Sequence, residues 1–213
     1  ALLLLLTGSL YSIYHYHYNP RYQPDDYRAA VQFIRQRWQP GDAILVSGHL
    51  GDHGVAIMSL RENLGFETEI RSDSQPLHDL VAAMLDAVPG IHCLRDPTRG
   101  GLATVLNEFA AASGTGIKLE EAAIPVRDDV RGACEILGLD PLYVANEGKI
   151  VVAVAPESAD VALAALRAHP LGREAAPIGQ VTADHPARVV LRTPFGARRV
   201  LDMLVGEQLP RIC

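Results

Sequence analysis

From Gly41 onward, short apolar runs alternate with longer segments of helical period. AILVS (Ala43 to Ser47) and the stronger KIVVAVA (Lys149 to Ala155) are continuous apolar runs of strand length, the pattern of strands buried on both faces. FETEI (66–70) alternates as a half-buried strand does, and IHCL (91–94), GIKLE (116–120), APIGQVT (176–182), ARVVLRT (187–193) and RRVLDM (198–203) complete the strand set. DHGVAIMSLRENL (52–64) places Ile57, Leu60 and Leu64 on one side of a helix. LHDLVAAMLDAV (77–88), GLATVLNEFAAAS (101–113), RDDVRGACEILG (127–138) and ESADVALAALRAH (157–169) are also read as helices. TPFGA marks a turn before the last strand. Strands and helices alternate and the end is strand-rich. The fold class expected is therefore α+β, a mixed or antiparallel sheet packed with helices.

The first 40 residues differ, holding six of the seven tyrosines and the single tryptophan. The apolar opening, Ala1 to Leu6, is too short to span a bilayer, which takes about 20 residues, and it lacks the basic flank of a signal peptide. An apolar end followed by Tyr11, Tyr14, Tyr16 and Tyr18 is also the pattern of a membrane helix leaving through an aromatic belt, and it resembles the tail of a membrane-bound glycosyltransferase. The alternative is a disordered or loosely packed arm. Tyr27, Val31, Ile34 and Trp38 recur at helical spacing behind two acids, which predicts a helix over about 25–38. The organisation expected is an atypical arm over 1–40, a domain over 41–205 and a mobile tail over 206–213.

Composition narrows the field. The chain is 48% hydrophobic and 21% charged, an ordinary globular balance, with net charge −6. An acidic chain argues against a nucleic-acid partner. Cys93, Cys134 and Cys213 are widely spaced and odd in number, so neither a zinc site nor a disulfide framework is indicated. Free thiols imply a reducing, cytoplasmic setting. Cys93 and Cys134 sit in apolar patterns that bury small residues; Cys213, the last residue, has no such role.

Four stretches are weighed for chemistry. In LRDPTRGGLATVLNEFA a strand ends at Asp96, and Gly100 and Gly101 turn the chain into a helix. Backbone amides at such a helix start can cradle phosphate, with Thr98 and Arg99 alongside and Asp96 as a Mg²⁺ ligand. The plainer reading is a tight turn in which Thr98 or Asp96 caps the helix. In LYVANEGKIVVAV, Asn146, Glu147, Gly148 and Lys149 precede the most apolar strand. Partial desolvation there raises a carboxylate's pKa toward the range of a general base, and the plainer reading is a solvated turn. In SGHLGDHGVAI, Asp52 is read as a helix cap and His53 as a surface or hydrogen-bonded histidine; His49 and His78 receive no role. The fourth is the tail GEQLPRIC. Gly206 and Pro210 disfavour helix and strand, and eight residues at ~3.3 Å each reach ~26 Å. A thiol on such an arm can carry a group between two sites, although a frayed end that happens to finish on cysteine has the same pattern.

VSGHLGDHGVAIMSLRE, GIHCLRDPTRGGLATVLNE, AIPVRDDVRGACEILGLDPLYVANEGK and GEQLPRIC together resemble the HypE family, the carbamoyl dehydratases of nickel–iron hydrogenase maturation, within the PurM-like (AIR synthase-related) superfamily. The resemblance runs from about residue 41 to Cys213 and implies the family's C-terminal domain. It implies that a HypF-like carbamoyltransferase loads a carbamoyl group onto Cys213. ATP, with Mg²⁺, then drives dehydration of that group to an S-cyanide (thiocyanate), with Glu147 as the base and Asp96, Thr98, Arg99, Gly100 and Gly101 at the nucleotide. The cyanide passes to iron on a HypC–HypD scaffold, and the family forms homodimers. In that family a preceding domain supplies most of the ATP and Mg²⁺ ligands, so the isolated 213-residue chain is expected to be weak or inactive. The alternative is a carrier or docking module that accepts the carbamoyl group without converting it. Selenophosphate and aminoimidazole ribotide synthases of the same superfamily lack the terminal cysteine arm.

Overall fold

The computed structural model describes residue 34, residues 36–61 and residues 70–204. Among the described residues seven strands and five α-helices follow one another as β1 (Ala43–Val46), α1 (Asp52–Arg61), α2 (His78–Ala87), β2 (Cys93–Arg95), α3 (Gly101–Ser113), β3 (Gly116–Glu120), α4 (Asp128–Leu137), β4 (Val151–Val154), α5 (Ala159–Ala168), β5 (Ala176–Thr182), β6 (Val189–Arg192) and β7 (Arg198–Leu201). The strands form one sheet in the order β2-β4-β1-β5-β3-β6-β7. Neighbours are antiparallel except β3 and β6, which are parallel. The expected α+β fold with a mixed sheet packed by helices is therefore present.

The alternation of side chains along a strand explains why the central runs are apolar throughout. Ile44, Val46, Val151 and Ala153 share one core with Leu102, Leu106 and Phe109 of α3. Leu45, Val152 and Val154 share the other with Leu80 and Met84 of α2 and Ala162 and Leu166 of α5. Helices thus cover both faces, and each fully buried Leu or Ile contributes ~1.5–3 kcal/mol relative to exposure. A third, smaller cluster joins Val55 of α1 to Val130, Ala133 and Cys134 of α4 and to Val144. Trp38, whose backbone N–H donates to the Ile34 carbonyl at 2.8 Å, packs edge-on against Phe109 with ring centroids 5.3 Å apart.

Some expected boundaries move. The β4 strand begins at Val151 rather than at Lys149, because the Lys149 side chain turns to an ion pair with Asp73 at 3.0 Å. Strand β5 contains Pro177, which cannot donate to a ladder. There the β1 register slips between Ile44 and Leu45, and β3 pairs only from Gly179 on, a bulge that accommodates the proline. The strand expected over 66–70 and the end of the helix expected over 52–64 fall mostly on residues 62–69, outside the described residues. So do residues 1–33, which include most of the expected N-terminal helix, and the tail 206–213. No helix among the described residues is long and apolar enough to cross a membrane.

Candidate functional site

At one end of the sheet, β1 and β2 finish where β4 and β5 begin: Val151 pairs with both Val46 and Arg95, and Val46 also pairs with Ala176. The turns 47–51, 96–100 and 144–150 therefore meet there. Asn146 ties them together. It is fully buried. Its Oδ1 accepts from the Gly51 N–H at 2.8 Å, and its Nδ2 donates to the carbonyls of Pro97 at 3.1 Å and Val144 at 3.0 Å. Its backbone N–H donates to the same Pro97 carbonyl at 3.1 Å. A buried amide with every group matched rigidifies its surroundings.

The strand-to-helix turn owes its shape to its glycines. Gly100 and Gly101 have φ of 70° and 60°, a left-handed backbone that L side chains rarely adopt. A Cβ on Gly101 would stand 2.6 Å from the carbonyl oxygens of both Leu142 and Val144, so only glycine lets the start of α3 press against the chain leading to Asn146. The capping reading of Thr98 and Asp96 does not hold: Gly100 occupies the cap position and no side chain caps the helix. Instead the Gly101 N–H donates to the Thr98 carbonyl at 3.0 Å. Asp96 and Arg99 are exposed and Thr98 is half-buried. Among the described residues no three His, Cys, Asp or Glu side chains are grouped to hold a metal.

Glu147 is half-buried. Its backbone N–H donates to Asp73 Oδ1 at 3.1 Å, while its carboxylate has no hydrogen-bond or ion-pair partner among the described residues. Lys149, itself buried, donates to Asp73 Oδ2 at 3.0 Å and to the Gly148 carbonyl at 3.3 Å.

Asp52 and His53 start α1 and are buried, not at the surface. His53 Nδ1 and Ser72 Oγ are hydrogen-bonded at 2.8 Å, while His53 Nε2 and Asp52 Oδ1 have no partner among the described residues. Burial raises the Asp52 carboxyl pKa, and the Arg127 guanidinium, 3.5 Å away, pulls it back, with Lys149 further off. Burial also pushes the thiols of Cys93 and Cys134 up to about 12 and about 11.

The structure thus brings the residues of the Asp96–Gly101 turn and Glu147 to one place, whereas Cys213 lies outside the described residues. Sequence reasoning missed Asp73 and Ser72, in a polar stretch that reads as loop. The one signal for Asp73 is indirect: a lysine directly ahead of the most apolar strand needs a buried counter-charge. Asn146 lay within the stretch singled out, but its joining role is a matter of tertiary structure.

A family model described as "AIR synthase related protein, C-terminal domain" matches residues 39–192. A carbamoyl dehydratase HypE from Azotobacter vinelandii is 65% identical over 175 residues, covering 82% of this chain and 51% of its own length. A solved structure of the hydrogenase maturation protein HypE in complex with ATP superposes with a TM-score of 0.77 at 50% identity, over 83% of this chain and 54% of its own. A HypE–HypF complex gives a TM-score of 0.76 at 44% identity, over 80% and 55%. The chain spans about half the length of the curated relatives it matches.

Proposed function

Since the chain belongs to the AIR synthase related protein family, whose C-terminal domain it carries at residues 39–192, and is similar to HypE over 82% of its length, we propose that it serves in hydrogenase maturation as part of an ATP-dependent carbamoyl dehydratase. Its substrate in this reading is a carbamoyl group on Cys213, supplied by a HypF-like carbamoyltransferase, and its product is the S-cyanide. Turning S–C(=O)–NH₂ into S–C≡N removes one oxygen and two N–H protons. Oxide is a poor leaving group. Transfer of the ATP γ-phosphoryl to the carbamoyl oxygen lets that oxygen depart as phosphate, leaving the protons to a base.

The observation that carries the proposal is the double tether of Asn146 to Pro97. It sets Glu147, a half-buried carboxylate with no partner among the described residues, one residue from the anchor of the Asp96–Gly101 turn. Glu147 takes the N–H protons. The glycine turn and Arg99 receive nucleotide phosphate, and Thr98 lies within the same turn. This part fits a polyanion: the left-handed glycines start a helix of 13 residues, whose N-terminal dipole favours negative charge. Asp96 is the residue here that would hold Mg²⁺, which neutralises phosphate charge when bound. By the same resemblance the cyanide goes on to iron on a HypC–HypD scaffold, the protein pairs as a homodimer, and it acts in the cytoplasm.

The test is to incubate the chain with a HypF-like carbamoyltransferase and its substrates, comparing wild type with Cys213→Ala. Loading lost in the variant, with the fold intact by circular dichroism, supports the proposal; unchanged loading refutes it. Loading that ATP never converts to nitrile, even with the family's preceding domain supplied, would favour a carrier module.

A further inference from the structure

The Glu147 carboxylate, without a partner among the described residues, sits inside a rigid frame, and the frame has an owner outside the three turns already described. Asp73 is buried, its side chain 3% exposed. An ionised carboxylate out of water is costly unless both oxygens find partners. Here one oxygen takes the backbone N–H of Glu147 at 3.1 Å and the other takes Lys149 Nζ at 3.0 Å. The fit is close, because a Cβ on Gly148 would collide with the Asp73 carbonyl oxygen. The Asp73 segment is anchored in turn: Ser72 Oγ bonds to His53 Nδ1 of α1 at 2.8 Å and accepts the Ser74 N–H at 3.1 Å.

From this geometry we infer that Asp73 is a positioning residue for Glu147, its two oxygens spanning residues 147 and 149 so that the Glu147 side chain leaves the backbone at one fixed point. The inference rests on the reading of Glu147 as the base. Lys149 makes the strut tolerable by neutralising Asp73, so that no second uncompensated carboxylate faces Glu147.

The arrangement makes a specific demand. Two donors approach Asp73, one from a backbone amide and one from an ammonium, and aspartate supplies an acceptor for each. Asparagine has a single acceptor oxygen and an NH₂ in place of the other, so Asp73→Asn can satisfy one donor only. Removing the ammonium with Lys149→Met frees that oxygen for the Glu147 N–H.

Amide hydrogen exchange in the full 213-residue chain reads this directly. Hydrogen bonds to charged groups are worth ~1.5–3 kcal/mol, so Asp73→Asn should speed exchange at the Glu147 amide by about tenfold or more relative to the core amides of Val152 and Ile178. Asp73→Asn/Lys149→Met should return it to within about threefold of wild type, and any ATP-dependent nitrile formation on Cys213 should fall in Asp73→Asn and recover in the double variant, a readout that a merely structural role would not move. The ratio of Glu147 to Val152 exchange carries the reading even where a variant loses overall stability. Wild-type exchange in Asp73→Asn, or a double variant as fast as the single, overturns the inference. Glu147→Gln separates it from the underlying chemistry: nitrile formation surviving in that variant removes the base assignment while the Asp73 strut stands on its exchange data.

Discussion

Asn146 and Pro97 are joined twice, since the backbone N–H and the side-chain amide of Asn146 both donate to the Pro97 carbonyl at 3.1 Å. The same side chain accepts the Gly51 N–H. Asn146→Ala therefore removes three side-chain hydrogen bonds and strands a backbone donor, and urea denaturation should show a loss of about 3 kcal/mol. Asn146→Asp is not a rescue: it keeps the acceptor for Gly51 but turns a carboxylate oxygen toward the carbonyls of Pro97 and Val144.

Gly101 and Gly138 both have left-handed backbone, with φ of 60° and 68°, yet they should respond differently to alanine. A Cβ at Gly138 meets nothing within 4 Å, whereas at Gly101 it meets two carbonyl oxygens at 2.6 Å. Gly138→Ala should cost about 1 kcal/mol, the conformational term alone. Gly101→Ala adds steric overlap and should cost roughly 3 kcal/mol, with shifted amide resonances in residues 142–147.

Asp52 gives a pH signature. Burial holds its carboxyl pKa above the ordinary 3.8, so the folded state binds this proton more tightly than the unfolded chain does. Its contribution to stability is fully present below the unfolded value and is lost as pH rises through the raised folded one. Asp52→Asn cannot titrate. Denaturation midpoints measured from below pH 3.8 to neutrality should therefore move in the variant's favour relative to wild type as pH rises.

The thiols should separate by reactivity. With pKa values near 12 and 11, Cys93 and Cys134 carry almost no thiolate at pH 8, and alkylation by iodoacetamide should be at least ~100-fold slower at each than at Cys213. Peptide mapping over a time course checks this.

The central strands were legible because a strand covered on two faces must be apolar at every position, and AILV and VVAV are. Helices α2 to α5 were legible from their period, but in α1 the face read from Ile57 and Leu60 is not the buried one: Leu60 is 79% exposed, and Val55, Ala56 and Met58 are buried instead. The bulge at Pro177 and the inward turn of Lys149 were not, because each answers to a partner far away in sequence: a slipped register with β1 in one case, Asp73 in the other. At the site, the glycine turn announced itself, since paired glycines between a strand and a helix have few other uses. The capping of that turn by Thr98 or Asp96 was a sound local expectation, overridden because Gly100 takes the cap position and the Gly101 N–H finds the Thr98 carbonyl. Asp73 was invisible because a buried acid in a polar stretch looks like a solvated one until its partners are placed.

The proposal that Cys213 carries the reacting group is tested most directly by mass spectrometry of the C-terminal peptide, after loading by a HypF-like carbamoyltransferase and again after addition of ATP. The expected result is a carbamoyl adduct on Cys213 with Cys93 and Cys134 unmodified, and loss of the mass of one water on adding ATP that is slow or incomplete from this chain alone, since in the HypE family a preceding domain supplies most of the nucleotide ligands. An unmodified Cys213, or an adduct on another residue, would contradict it.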